Sequence, residues 1–265
     1  MAKGKYIVKD KRTDYLQIMW MLAKTDFKLR YHSSVLGYFW AILKPLMIFL
    51  ILNFVFSQVI GRGAGIEHYP LQLITGVIIW SFFAEGTTAG LSSLLQKSNI
   101  ITKVYFPRWI VVVASTLNSL MIFSMNLFIL VGFFLYYKVY PGFFDIISAL
   151  IFFLIIYLLI LTIAFILSPL YLKFRDLLQI WEVILQGLFY ASPIIYPLSL
   201  MPAKFQKIIL LNPIARLIDN VKRVLVFDQK ADISSTIIFV LILSSIFLIG
   251  LYYFKSVSKG VAEDI

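Results

Sequence analysis

Residues 143–172 read FFDIISALIFFLIIYLLILTIAFILSPLYL, and the only charge in the stretch is Asp145, near its start. A helix rises about 1.5 Å per residue, so about 20 apolar residues cross a hydrocarbon core about 30 Å thick. This run therefore predicts a membrane-spanning helix. Five more stretches of the same kind occupy residues 36–60, 71–95, 109–137, 177–196 and 234–254. The expectation is an all-α polytopic membrane protein with six transmembrane helices, forming one transmembrane domain over residues 1–265.

Composition supports it. Of 265 residues 61% are hydrophobic and 14% charged, and mean hydropathy is +0.90. A soluble domain carries about 45–50% apolar and about 25% charged residues. The net charge of +11 reads as Lys and Arg held on the cytoplasmic face of a bilayer rather than as a nucleic-acid surface, since no soluble basic domain is present. The chain has no cysteine, which excludes disulfides, thiolate metal sites and thiol catalysis. No cleavable signal pattern precedes the first apolar run, so that span is expected to persist.

Lys and Arg in the connections set the orientation. Eight fall between Lys3 and Arg30, and Lys97, Lys103, Arg108, Lys173, Arg175, Lys255 and Lys259 join them on one side. The short loops opposite carry Arg62 and Lys138. Only the long segment before the last span runs against the trend, with Lys204, Lys207, Arg216, Lys222, Arg223 and Lys230. Long loops count little, so both termini are expected inside.

Two other regions have helical periodicity. In residues 13–31, part of a predicted interface helix over 13–34, Asp14, Gln17, Lys24 and Lys28 share one side, although Met21 intrudes. Tyr15, Ile18, Met19, Leu22 and Ala23 share the other, the pattern of a helix lying in the membrane interface or packed on its own protein. In residues 197–228, Asn212 is placed to cap a helix that starts at Pro213. There Ile214, Leu217, Ile218, Val221, Val224 and Leu225 form an apolar stripe, with Arg216, Asp219, Asn220, Lys222 and Arg223 around it. This reads as a re-entrant hairpin dipping into the outer leaflet.

Chemistry of the enzymatic kind has little support. No G-x-x-x-x-G-K-[ST] loop is present, and Gly61-Arg62-Gly63-Ala64-Gly65 lacks the lysine. His32 and His68 fall on opposite sides of the membrane, which argues against a shared metal. Ionisable residues inside spans are the functional candidates. Lys44 is placed to snorkel or pair. Glu85 adjoins Gly86-Thr87-Thr88-Ala89-Gly90, a GxxxG spacing that admits a neighbouring helix, and reads equally as a packing or a path-lining residue. Glu182 and Gln186 make one face of the fifth span polar. Phe189, Tyr190 and Tyr196 beside Ser192, Pro193 and Pro197 can stack on sugar rings or form an interfacial belt. Pro169 and Pro193 look like helix terminators.

Three blocks then carry a resemblance: 28–40, KLRYHSSVLGYFW, continuing to Lys44-Pro45-Leu46; 98–108, SNIITKVYFPR; and FRDL at 174–177 with SPIIYP at 192–197 and LNP at 211–213. Together the chain resembles the transmembrane permease subunit of bacterial ABC exporters of lipid-linked polysaccharides, the O-antigen and teichoic acid type. Lys44 departs from the neutral polar residue frequent there. The resemblance implies a second copy of this chain, two copies of a separate ABC ATPase that uses ATP and Mg, and a lipid-linked polysaccharide moved across the cytoplasmic membrane. It implies that this chain is no enzyme and binds no cofactor. Residues 97–108 resemble the coupling segment that meets the ATPase, through Asn99, Ile100, Lys103, Tyr105 and Arg108, with Lys28 and Arg30 beside them on the interface helix. Residues 197–228 resemble outer gate helices, with Asn212, Pro213, Arg216 and Arg223. Glu182, Gln186, Phe189, Tyr190 and Tyr196 would line the substrate path, between copies and along the first and fifth spans. Two rivals stand beside this reading. One is an ABC permease for lipids or drugs. The other is a membrane-embedded polysaccharide glycosyltransferase or polymerase, for which only Glu67 and His68 come near a catalytic pair.

Overall fold

The computed structural model describes residues 13–32, 36–57, 63, 65–103, 106–230 and 232–258. Its elements in chain order are α1 (Thr13–His32), α2 (Phe39–Phe56), α3 (Tyr69–Gln96), α4 (Ser98–Lys103), α5 (Trp109–Tyr137), α6 (Phe143–Lys173), α7 (Leu177–Ala191), a 3-10 turn (Leu198–Leu200), α8 (Ala203–Ile209), α9 (Pro213–Val226) and α10 (Ile233–Val257). Among the described residues there is no strand. Five helices, α2, α3, α5, α6 and α10, are long and apolar enough to cross a membrane.

α7 is the exception. Its 15 residues span about 22 Å, short of the roughly 30 Å core, and the expected continuation to Tyr196 is not helical. The cause is Pro193. Proline disfavours the helical region for the residue before it, and Ser192 is extended at φ −102, ψ 149. Residues 192–195 and 197–198 are then buried as an irregular loop. Pro169, by contrast, does not end its helix: α6 runs four residues further. Buried Leu172, Phe165 and Phe254, packed in one cluster with the end of α3, hold that last turn against the lost backbone bond.

α3 is the central post. Twenty of its 28 residues are buried, and it packs on α5, α6, α2, α9 and α7. The GxxxG pair sets its approach to α6. A Cβ on Gly86 would lie 2.8 Å from Ile160 Cγ2, and one on Gly90 would overlap the Ala164 methyl. Small residues here let the two helices meet backbone to backbone, the usual source of helix association where no hydrophobic effect operates. Thr116 Oγ1 and Tyr157 Oη, 3.2 Å apart, join α5 to α6, and Trp181 Nε1 donates to Thr87 Oγ1 at 3.2 Å, fixing α7 on α3. Outward faces are apolar, with Phe54 on α2, Phe128 on α5 and Leu241 on α10 all exposed.

α1 packs along α5. Ala23 is fully buried, with Tyr15, Ile18, Met19 and Leu22 half-buried around it, as the periodicity predicts. Leu16, Trp20 and Met21 point outward beside Lys24 and Lys28. α9 departs further from expectation. Its apolar stripe faces α3 and α6, and ten of its 14 residues are buried. Asp219 and Lys222, expected on the polar side, are among them. This is a core helix roofing one end of the bundle.

Candidate functional site: a groove along α3

Beside the short α7, a long groove runs along α3. Nearest α4, Arg30, Lys44, Glu85, Ser115 and Asn118 bound about 660 Å³. This space shares Arg30, Lys44, Ala84 and Glu85 with a middle section of about 720 Å³, walled by Trp40, Pro45, Met47, Ile51, Trp80 and Ile122. Ile48, Trp80 and Ser81 then lead into a third section of about 240 Å³ with Gln186, Phe189 and Tyr190. Residues of α1, α2, α3, α5 and α7 thus build one trough, charged at one end and aromatic at the other.

At the charged end Arg30 Nη2 donates to Glu85 Oε1 at 2.8 Å, and Lys44 Nζ lies 4.0 Å from the same oxygen. Glu85 is therefore a pairing residue that also lines the groove. Lys97, buried just past the end of α3, forms a second ion pair with Asp26. The two pairs tie α1 to α3, and Phe27 stacks on Tyr38 at 5.0 Å just before α2.

At the aromatic end the Trp80 and Phe189 rings meet edge to face at 5.6 Å, and Phe189 meets Tyr190 at 5.3 Å. Tyr196 Oη donates to Tyr190 O at 3.2 Å, so this predicted residue braces the end of α7. α7 buries only Trp181 and Leu185. Its exposed side repeats at helical spacing through Gln179, Glu182, Val183, Gln186, Gly187 and Tyr190, and a Cβ on Gly187 would meet nothing within 4 Å. A carboxylate and two amides on the open face of an apolar helix do not suit lipid.

Beyond the aromatic end, α9 and α3 hold the 192–197 loop. Asn212 caps α9, accepting from Ile214 N at 3.2 Å while its Nδ2 donates to Ser192 Oγ at 3.2 Å. Tyr69 Oη donates to Ile195 O at 2.9 Å. Lys222 donates to Pro193 O at 2.6 Å and Ile194 O at 3.0 Å, in space that Gly76 leaves open: a Cβ there would lie 3.1 Å from Lys222 Cε. α9, with 14 residues, is not among the helices long and apolar enough to cross a membrane, and burial lowers the Lys222 pKa from 10.5 to about 7, against the opposing charge of Asp219. A neutral amine still has two N–H groups for the two carbonyls. Burial also raises the Asp219 pKa, although Arg223, at 2.8 Å, and Lys222 oppose it. Arg216 reaches α10, donating to Ser235 O at 3.1 Å and lying 5.4 Å from the Phe239 ring centroid.

The predicted residues thus separate into three places. Asn99, Ile100 and Lys103 are exposed on and beside α4, Arg108 is half-buried at the start of α5, and Lys28 is exposed on α1. Tyr105 lies outside the described residues. Arg30 sits in the groove against Glu85, while Pro213 opens α9 beneath its cap. Sequence reasoning missed Trp80 and the Lys222 clamp. Trp80 is one more apolar residue in a helix buried almost all round. Lys222 lies four residues after Ile218 and three before Leu225, the edge of the stripe, and that was the available signal. Among the described residues no three His, Cys, Asp or Glu side chains gather as a metal site.

Residues 17–226 match the family model described as ABC-2 type transporter. The chain is 32% identical over 198 residues to an O-antigen export system permease protein RfbA of Klebsiella pneumoniae, covering 75% of this chain and 76% of that protein. A Myxococcus xanthus protein of the same name is 26% identical over 208 residues, 78% of this chain and 79% of the relative. A family match across most of the bundle, from α1 to α9, means that this chain belongs to the ABC-2 type transporter family of membrane proteins.

Proposed function

We propose that the chain is the permease subunit of an ATP-driven exporter that moves lipid-linked polysaccharide, most closely of the O-antigen type, across the bacterial cytoplasmic membrane. The observation that carries this reading is the polar, unpacked stripe of α7 beside the Trp80–Phe189–Tyr190 aromatics. Aromatic faces accept the apolar C–H surfaces of sugars, and amides and hydroxyls bond their OH groups. The relatives' names, O-antigen export permeases, support the same substrate class.

In this reading α7 and the 192–198 loop together make the sixth crossing, with both termini cytoplasmic by the distribution of Lys and Arg. A second copy faces α2 and α7 across the path. Two copies of a separate ATPase dock at α4 and α1, and α8–α9 form the outer gate. Energy enters only through those partners: ATP and Mg act there, and the nucleotide state must bias two arrangements of this chain. α4 is suited to receive such a push because it joins directly to α3, the post on which the groove is built.

Charge reversal at the contact tests it. Lys103→Glu with Arg108→Glu is expected to lower surface polysaccharide more than about tenfold, the price of like-charge contacts worth 1.4 kcal/mol or more. ATP hydrolysis by the purified assembly should continue, and the chain should remain in the membrane. Normal export by this variant contradicts the docking assignment.

A further inference from the structure

We propose that the cavity between α8, α9, the first turn of α3 and residues 193–199 binds one sugar ring, as a saccharide subsite separate from the aromatic end of the groove. The proposal rests on the exporter reading only for the glycan to which that sugar belongs. The cavity holds about 290 Å³, at the small end of ligand pockets, which run from about 300 to 1,000 Å³. It is sized for one ring rather than for a chain of them. The loop after α7 borders both places: Tyr190 lines the groove just before it, while Pro193 and Pro197 line the cavity.

Hydrogen-bonding capacity is left over throughout the lining. Gln72 is buried, yet only its Nε2 is used, donating to Glu67 O at 2.9 Å. Gln206 donates through Nε2 to Met201 O at 2.8 Å, and the amide oxygens of both residues remain. Asp219 Oδ2 pairs with Arg223 Nε at 2.8 Å, which leaves Oδ1. The side chains of Ser199 and Gln229, both exposed, make no hydrogen bond among the described residues. Asp228 brings Gln229 to the cavity: it turns left-handed at φ 51, and Gln229 N donates to Arg223 O at 3.0 Å, folding the chain back along α9. Acceptors from α3, α8 and α9 thus converge on one space, beside a hydroxyl and an amide still to be paired.

This mixture of groups selects a neutral polyol. An anion in the space would meet Asp219, and a cation would meet Lys222 and Arg223. Hydroxyls suit both, because each donates and accepts. Lys222 lines the cavity while donating to Pro193 O and Ile194 O. As an ammonium it keeps a third N–H and as an amine a lone pair, and a hydroxyl answers either. Phe227, exposed at the end of α9, supplies an aromatic face on which the C–H groups of a sugar pack. A bound ring would tie α8 and α9 to α3 and to the loop that Lys222 holds.

The test uses the full chain in phosphatidylcholine nanodiscs, with the methyl pyranosides of glucose, galactose, mannose, rhamnose and N-acetylglucosamine as probes. Saturation-transfer difference NMR reads their binding at millimolar concentration. At least one probe should bind, and Ser199→Ala combined with Gln229→Ala should weaken it about tenfold, the size of one or two neutral hydrogen bonds. Both side chains are exposed and hold nothing in place, so the double variant should keep the melting temperature of the unaltered chain. Inorganic phosphate should not displace the sugar. Absence of binding by every probe, or equal binding by the double variant, overturns the subsite. Displacement by phosphate makes it an anion site and overturns it too. Surface polysaccharide measured with the double variant keeps the two readings apart: export that survives the loss of binding sinks the subsite and leaves the exporter standing.

Discussion

Gly90→Leu is expected to leave almost no folded chain in the membrane. The α3–α6 contact is built on Gly86 and Gly90 facing Ile160 and Ala164, and a single added carbon at 90 already overlaps the Ala164 methyl. Neither that methyl nor the backbone under it can rotate away. Inserted methylenes in a packed core cost about 1–3 kcal/mol, so Gly90→Ala should lower stability by that much, and leucine should exceed it. The effect spreads because α3 also carries α2, α5, α7 and α9. Gly132→Leu is the control: on α5, with nothing within 4 Å of its Cβ position, it should express at the normal level. The measurement is folded yield and melting temperature after detergent extraction. Equal yields for 90 and 132 would contradict the packing.

Lys222→Met should be the next most damaging change. Methionine nearly keeps the volume against Gly76 but leaves the Pro193 and Ile194 carbonyls buried without donors. Each orphaned group costs about 1–3 kcal/mol, so a combined loss of about 2–6 kcal/mol is expected. The loss is local: Asn212 and Tyr69 still hold Ser192 and Ile195. Amide exchange should therefore rise at Ser192, Ile194, Ile195 and Tyr196 before it rises in α3 or α6. Unchanged exchange in that loop would show that the clamp does not hold it.

Much of the bundle was legible in the sequence because lipid imposes a simple rule. Residues 143–172 had to be helical, and Gly86 and Gly90 had to mark a close approach. Asn212 before Pro213 announced a helix start that the structure bears out. Hydropathy failed where backbone chemistry outweighs side-chain polarity. Residues 192–196 are apolar enough to extend a span, but Pro193 stops the helix at Ala191. Periodicity failed at Asp219 and Lys222, since a wheel knows one buried face and α9 has neighbours on more than one. The groove was least visible. Its parts were named singly, Glu85 as either packing or path, Arg30 as a docking residue, yet Arg30 and Glu85 meet across 55 residues. Only packing of α1, α2, α5 and α7 around α3 makes them one surface.

The central claim is that the Glu182–Gln186 stripe of α7 faces a water-filled path. The chain has no cysteine, so one introduced thiol reports one position. Glu182→Cys, Gln186→Cys and Leu241→Cys place thiols on the α7 stripe and on the exposed apolar face of α10. In cells making the polysaccharide, a charged methanethiosulfonate reagent should modify the two α7 positions at least about tenfold faster than position 241, since ionised thiolate and charged reagent meet only in water. Equal, slow labelling at all three would place α7 against lipid and contradict the path.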